Sequence, residues 1–158
     1  MVHTVVVGLG RSGMGAARLL AQSGTAVTVI DSGTGEALNQ RSNLLKQQGM
    51  EVHLGIPLQA SSFDPWLNDL QRVVISPGIA WDHPTLQHLR SHGVAIDGEM
   101  AVAWDALQSI PWIGITGTNG KTTVTHLLSH VLEHSGLKAP MGGCLLYTSP
   151  SPRDPIGS

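Results

Sequence analysis

Apolar and polar positions along this chain switch repeatedly between a period of two and a period near 3.6. Thr4–Val7 is a β-branched run that stops at glycines, which predicts a buried strand. From Ser12 to Gln22, Met14, Ala17, Leu20 and Ala21 fall on one helical face, and Gly24 sits where a helix would end. Ala26–Ile30 predicts a second strand. Glu36 to Gln48 predicts a helix closed by Gly49, and Glu51–Leu54 a weak third strand. Arg72–Ile75 reads as another strand, stopping at Ser76-Pro77-Gly78. Pro84 suits the first turn of a helix that runs to about Ser91 and ends at Gly93. Val94–Ile96 predicts a strand and Met100 to Leu107 a helix. Trp112–Thr116 then predicts a strand entering a glycine-rich loop. Lys121 to His134 is the most amphipathic segment, with Val124, Leu127, Leu128, Val131 and Leu132 on one stripe and Gly136 at its end.

Strands alternating with helices predict an α/β fold, a parallel sheet covered on both faces. Gln108–Pro111 is the expected boundary. Residues 1–108 make a nearly complete small domain, and residues 109–143 read as the truncated start of a second. Cys144–Ser158 has no strand or helix period and is rich in serine and proline. A disordered tail is one reading. We favour a non-native segment, because "CLLYTSPSPRD" resembles a translated adapter sequence.

Composition narrows the function classes. Of 158 residues, 41% are hydrophobic and 13% charged, enough for a packed core, and the formal net charge is -2. No basic patch predicts a nucleic-acid or anionic-membrane partner. No apolar run reaches eighteen residues and the N-terminus has no signal-peptide pattern, so the expectation is a soluble cytoplasmic protein. The single cysteine, Cys144, excludes an internal disulfide. His83, His88 and His92 follow no metal-ligand spacing and read as solvated helix surface.

Two glycine loops carry the candidate chemistry. Gly8-Leu9-Gly10-Arg11-Ser12-Gly13 matches G-x-G-x-x-G between a strand and a helix, and Asp31 ends the next strand. This is the Rossmann-like fingerprint: glycines allow a tight turn and close approach, and the helix start offers N–H groups to a phosphate. The pattern leaves open a dinucleotide or another nucleotide diphosphate. It also leaves Asp31 open, as a ribose acceptor or as a cap for the helix near Glu36. Ser76-Pro77-Gly78 is either a ligand-side loop at a strand end or only a turn.

The second loop is Thr116-Gly117-Thr118-Asn119-Gly120-Lys121-Thr122-Thr123. Gly-Lys-Thr after a strand and before a helix predicts a phosphate cradle. Lys121 would reach the terminal phosphate and Thr122 would supply the Mg²⁺-binding hydroxyl. Ile115 stands where the strict spacing wants a glycine, so the loop is a variant.

"GITGTNGKTT" resembles the ATP loop of the Mur ligase family, which attaches amino acids to the peptidoglycan precursor and shares that loop with folylpolyglutamate synthases. "VVVGLGRSGMGAARLL", "VISPGIAWDHPTL" and "GEMAVAW" are similar to the uridine-nucleotide domain of its D-glutamate-adding branch. The resemblance runs to about Gly143. It departs at Ala101, where the family has an acidic residue, and at Cys144, where it has asparagine.

The resemblance implies a Rossmann-like UDP-substrate domain followed by the start of a P-loop ATPase-type α/β domain. It implies an ATP- and Mg²⁺-dependent ligase that joins D-glutamate to UDP-N-acetylmuramoyl-L-alanine through an acyl phosphate, monomeric when full length. Gly10, Arg11, Ser12, Asp31, Ser32 and Gly78 would then hold the UDP group. Gly117, Thr118, Asn119, Gly120, Lys121, Thr122 and Thr123 would hold ATP, with Lys121 and Thr122 catalytic and Thr122 on Mg²⁺. The family's other metal ligands and its glutamate-binding domain lie past residue 143, so the expectation is a fragment that is inactive alone. Three alternatives stand beside this. They are another Mur-type or folylpolyglutamate-type ligase, an NAD(P)-dependent oxidoreductase, which leaves Gly-Lys-Thr unexplained, and a non-catalytic nucleotide-binding module.

Overall fold

The computed structural model describes residues 3–141. The chain divides into two compact units, Met1–Gln108 and Ser109–Ser158.

The first unit is a five-stranded parallel sheet. Its strands are β1 (His3–Val7), β2 (Ala26–Asp31), β3 (Glu51–Leu54), β4 (Leu70–Ile75) and β5 (Ala95–Gly98), in the order β3-β2-β1-β4-β5. Its helices are α1 (Arg11–Gln22), α2 (Glu36–Gln47), α3 (Pro84–Ser91) and α4 (Glu99–Ala106), with a 3-10 turn over Ala60–Phe63. Alternation along β1 divides the core in two. Val6 joins Leu9, Ala16, Ala17, Leu20, Val29, Leu45 and Val102 on the face covered by α1, α2 and α4. Val5 and Val7 join Phe63, Val73, Leu86 and Leu89 on the face covered by α3 and the 3-10 turn. Burying each of the Val, Leu and Phe side chains among these contributes about 1.5–3 kcal/mol before chain entropy is counted, and each alanine less.

Most predicted elements fall within two residues of those observed, the ordinary uncertainty of helix and strand ends. The 3-10 turn had no periodic signal in the sequence. Pro84 opens α3 as expected, but His83 is no mere solvated side chain. It is the N-cap of α3, its ring Nδ1 accepting from the Thr85 N–H at 3.2 Å.

In the second unit the expected strand Trp112–Thr116 does not form; this stretch belongs to no sheet. A strand is defined by its hydrogen-bonded neighbour, and among the described residues this unit contains no other strand to pair with. Ile113 is accordingly 60% exposed. The helix α5 (Lys121–His134) forms as predicted. Its apolar stripe is largely uncovered, with Val124, Leu127 and Val131 each about half exposed or more. Residues 144–158, read from sequence as a non-native tail, lie outside the described residues. No helix among the described residues is long and apolar enough to cross a membrane.

Candidate functional site

The strand order reverses direction at β1, with β2 on one side and β4 on the other. In parallel sheets the crevice at the carboxyl ends of such strands is where ligands bind. Gly8–Gly13 follows β1, Asp31 ends β2, Ser76–Gly78 follows β4 and Glu99 follows β5. All of the first-loop residues read from sequence therefore lie along one edge of one sheet.

The turn after β1 is built by close approach. Gly8 has φ +108°, and a Cβ there would lie 2.4 Å from Ser76 Oγ. A Cβ on Gly13 would lie 2.0 Å from the Gly8 carbonyl oxygen. Only glycine at both positions lets α1 start so close to β1 and β4. Gly10 is the N-cap of α1 and has no side chain to satisfy the leading N–H groups. These orphan amides, with the positive end of the helix dipole, can accept an anion. Arg11 and Ser12 are exposed on the first turn of α1.

Asp31 has a different partner from either one read in the sequence. Its Oδ2 accepts from the Leu9 N–H at 2.6 Å and its Oδ1 from the Gly33 N–H at 2.7 Å. It thus ties the glycine loop to the end of β2 and does not cap α2. The N-cap of α2 is Gly35, without a side-chain cap bond. Each carboxylate oxygen retains a second acceptor site, so a ribose hydroxyl could still be received. Ser32 is exposed beside it. On the β4 side, Ser76 Oγ donates to Glu99 Oε1 at 2.7 Å, and the Ile79 N–H closes the turn onto the Ser76 carbonyl at 3.0 Å, leaving Gly78 exposed.

Two residues of this edge escaped sequence reasoning. Glu99 is buried at 6% exposure and its Oε2 has no hydrogen-bond partner. Arg41 reaches from α2 to donate to the Leu9 carbonyl at 3.1 Å. A signal for Arg41 was present: Leu38, Ser42 and Leu45 mark the inner face of α2, and Arg41 lies next to that stripe.

In the second unit, Gly117 (φ +150°) and Gly120 (φ +76°) bend the loop, and Gly120 is the left-handed N-cap from which α5 starts. The first helical bond runs from the Val124 N–H to the Gly120 carbonyl at 2.9 Å. Lys121 Nζ donates back to the Gly117 carbonyl, so the ammonium closes over the loop. Thr118 and Asn119 form the exposed bend, and Lys121 and Thr122 are half-buried at the start of α5, followed by exposed Thr123. The donor set of loop amides, an ammonium and a hydroxyl fits a triphosphate with a divalent cation. Among the described residues no group of three or more His, Cys, Asp or Glu could hold a metal by itself.

Comparison with known proteins follows the same division. Residues 2–98 match the family described as Mur ligase MurD-like, N-terminal domain, and residues 115–153 match the Mur ligase middle domain. The chain is 71% identical over 143 residues to the UDP-N-acetylmuramoylalanine--D-glutamate ligase of Parasynechococcus marenigrum (strain WH8102), covering 90% of this chain and 31% of that protein. It is 65% identical over 143 residues to the enzyme of the same name from Synechococcus sp. (strain CC9605), with the same coverage of each. Among solved structures it is similar to the UDP-N-acetylmuramate-alanine ligase of Thermotoga maritima, with a TM-score of 0.53 and 26% identity, covering 86% of this chain and 30% of that one. The chain therefore spans about a third of the length of these relatives.

Proposed function

The chain belongs to the Mur ligase family, and from that premise we propose that it is the amino-terminal part of an ATP-dependent ligase that adds D-glutamate to UDP-N-acetylmuramoyl-L-alanine. The observation that carries this reading is the pairing of two glycine loops on one chain. One is a G-x-G-x-x-G turn at the switch point of a parallel sheet, and the other is a Gly-Lys-Thr loop opening α5. An oxidoreductase would have use for the first loop only.

On this reading the first unit holds the UDP end of the substrate. The amides of Gly10, Arg11 and Ser12 and the start of α1 receive the diphosphate, while Asp31 and Ser32 face the nucleoside and Gly78 lines the β4 side. In the second unit, the amides from Gly117 to Thr123 and the Lys121 ammonium hold the ATP phosphates, and Thr122 offers its hydroxyl to Mg²⁺. Lys121 must exchange the Gly117 carbonyl for phosphate oxygens, so the loop is held closed by the same group that would hold the nucleotide. When bound, ATP with Mg²⁺ supplies the phosphoryl group that activates the substrate carboxylate, which the D-glutamate amine then converts to an amide with release of phosphate. The work belongs to cytoplasmic peptidoglycan synthesis, and hence to cell shape and division, carried out by a monomer.

A chimaera tests this. Residues 1–143 of this chain, joined to the remainder of the 71%-identical relative, should release phosphate only when ATP, UDP-N-acetylmuramoyl-L-alanine and D-glutamate are all present. Lys121→Ala should abolish that release. A folded chimaera that releases no phosphate, or releases it without D-glutamate, contradicts the proposal.

A further inference from the structure

We propose that Arg41 is a positioning residue of the diphosphate cradle, a role resting on the UDP-binding reading above. Arg41 is half-buried, and its one hydrogen bond among the described residues is Nη1 to the Leu9 carbonyl at 3.1 Å. Other arginines of the unit have different partners. Arg72 pairs with Asp97 and Asp105, Arg18 meets Gln48, and Arg90 lies over Trp81 and donates to its carbonyl. No carboxylate among the described residues pairs with Arg41.

The bond it makes has a directional consequence. The peptide joining Leu9 and Gly10 is trans, so the Leu9 carbonyl and the Gly10 N–H point opposite ways across one rigid plane. Asp31 already holds the Leu9 N–H on the preceding peptide. Fixing the Leu9 carbonyl with Arg41 therefore fixes where the Gly10 N–H, the first amide of the cradle, is aimed.

Charge gives the second argument. Two carboxylates border this cradle: Asp31 on Leu9, and Glu99, whose Oε1 would lie 3.3 Å from a Cβ on Gly13. A diphosphate entering here meets negative charge on both sides, which the partial charge of one helix end does not fully offset. Arg41 is a cation tethered at the Leu9 carbonyl, on the far side of that peptide from the Gly10 N–H, and its field offsets part of this negative charge without touching the phosphate. Arg41 thus acts through the Gly10 amide and through its own charge, and the part of the ligand it senses is the phosphate.

Calorimetric titration of the whole chain with uridine, UMP and UDP tests this, using wild type, Arg41→Ala, Arg41→Lys and Arg41→Gln, each also melted thermally. Arg41→Ala should weaken UDP about tenfold or more and leave uridine within about twofold. Arg41→Lys should recover most of the loss. Arg41→Gln keeps an N–H for the Leu9 carbonyl but no charge, and should recover only the part of the loss that acts through the Gly10 amide. The dependence of UDP affinity on salt should also flatten in Arg41→Ala. If uridine and UDP weaken by the same factor in Arg41→Ala, the loss does not lie at the phosphates and the proposal is overturned. If the wild-type chain binds neither UDP nor uridine, the UDP-site reading and the role of Arg41 fail together. Wild-type UDP binding with unchanged variants overturns Arg41 alone.

Discussion

Replacing Gly13 by alanine should damage the first unit far more than the same change two residues later. An added Cβ would stand 2.0 Å from the Gly8 carbonyl oxygen and 3.1 Å from the Gly8 carbonyl carbon. A tolerable approach is about 3 Å, so α1 must move about 1 Å from β1 or the turn must distort. Gly8 cannot yield easily. Its φ is +108°, its N–H is bonded to the Ile30 carbonyl at 2.8 Å, and Ser76 Oγ, itself held by Glu99, occupies the space where its own Cβ would lie. Overpacking of this kind costs about 3 kcal/mol. Alanine's better helix propensity returns about 1 kcal/mol, leaving a net loss of about 2 kcal/mol. For a unit of this size that is roughly an 8–16 °C fall in melting temperature. Gly15 lies on the same helix with nothing within 4 Å of its would-be Cβ, so Gly15→Ala should instead raise stability by up to about 1 kcal/mol. Thermal melting followed by circular dichroism reads both. If Gly13→Ala melts within about 2 °C of wild type, or if the two variants fall equally, the close-packing account of this turn is wrong.

Other substitutions probe separate links. Asp31→Ala removes the acceptor of the Leu9 and Gly33 amides and should cost about 1–2 kcal/mol in urea unfolding, with weaker UDP binding as a second effect. Hydrogen bonding from His53 holds the Glu51 carboxyl below its ordinary value of 4.5, with a further bond from Thr28 Oγ1 adding to it against the opposing effect of burial. A depressed carboxylate stabilises the fold above its unfolded pKa and loses that contribution as pH falls through the folded one. Glu51→Gln should therefore flatten the loss of stability below about pH 4.5, by a fraction of 1 kcal/mol because the side chain is 54% exposed. Val131→Glu, on the uncovered stripe of α5, should shift unfolding by less than about 0.5 kcal/mol and raise the solubility limit. A large destabilisation there would mean that the stripe is covered in solution.

Much of the first unit was legible because its signals are local. Runs such as Thr4–Val7 and Ala26–Ile30, each stopped by glycine or aspartate, mark strand ends within a few residues. The strand order was not legible, since nothing local says that β4 lies beside β1. The same limit explains the predicted strand Trp112–Thr116. Its residues suit a strand, but pairing depends on a neighbour, and the described residues of this unit include no other strand. The glycine loops could be read from spacing, whereas their supports could not. Arg41 meets Leu9 across 32 residues and Glu99 meets Ser76 across 23, contacts that exist only once the sheet is assembled. Asp31 stands out in the sequence by its position at the end of β2, but its partners do not. Its bond to the Leu9 amide joins the two loops that the fingerprint treats as separate.

The central claim is that the crevice at the end of β1 receives a uridine diphosphate and not a nicotinamide dinucleotide. Calorimetric titration of the chain with UDP-N-acetylmuramoyl-L-alanine and, separately, with NADH tests it most directly. Saturable micromolar binding of the UDP-linked substrate, with no heat from NADH at the same concentrations, is the predicted result. Micromolar binding of NADH with none of the UDP-linked substrate would contradict it.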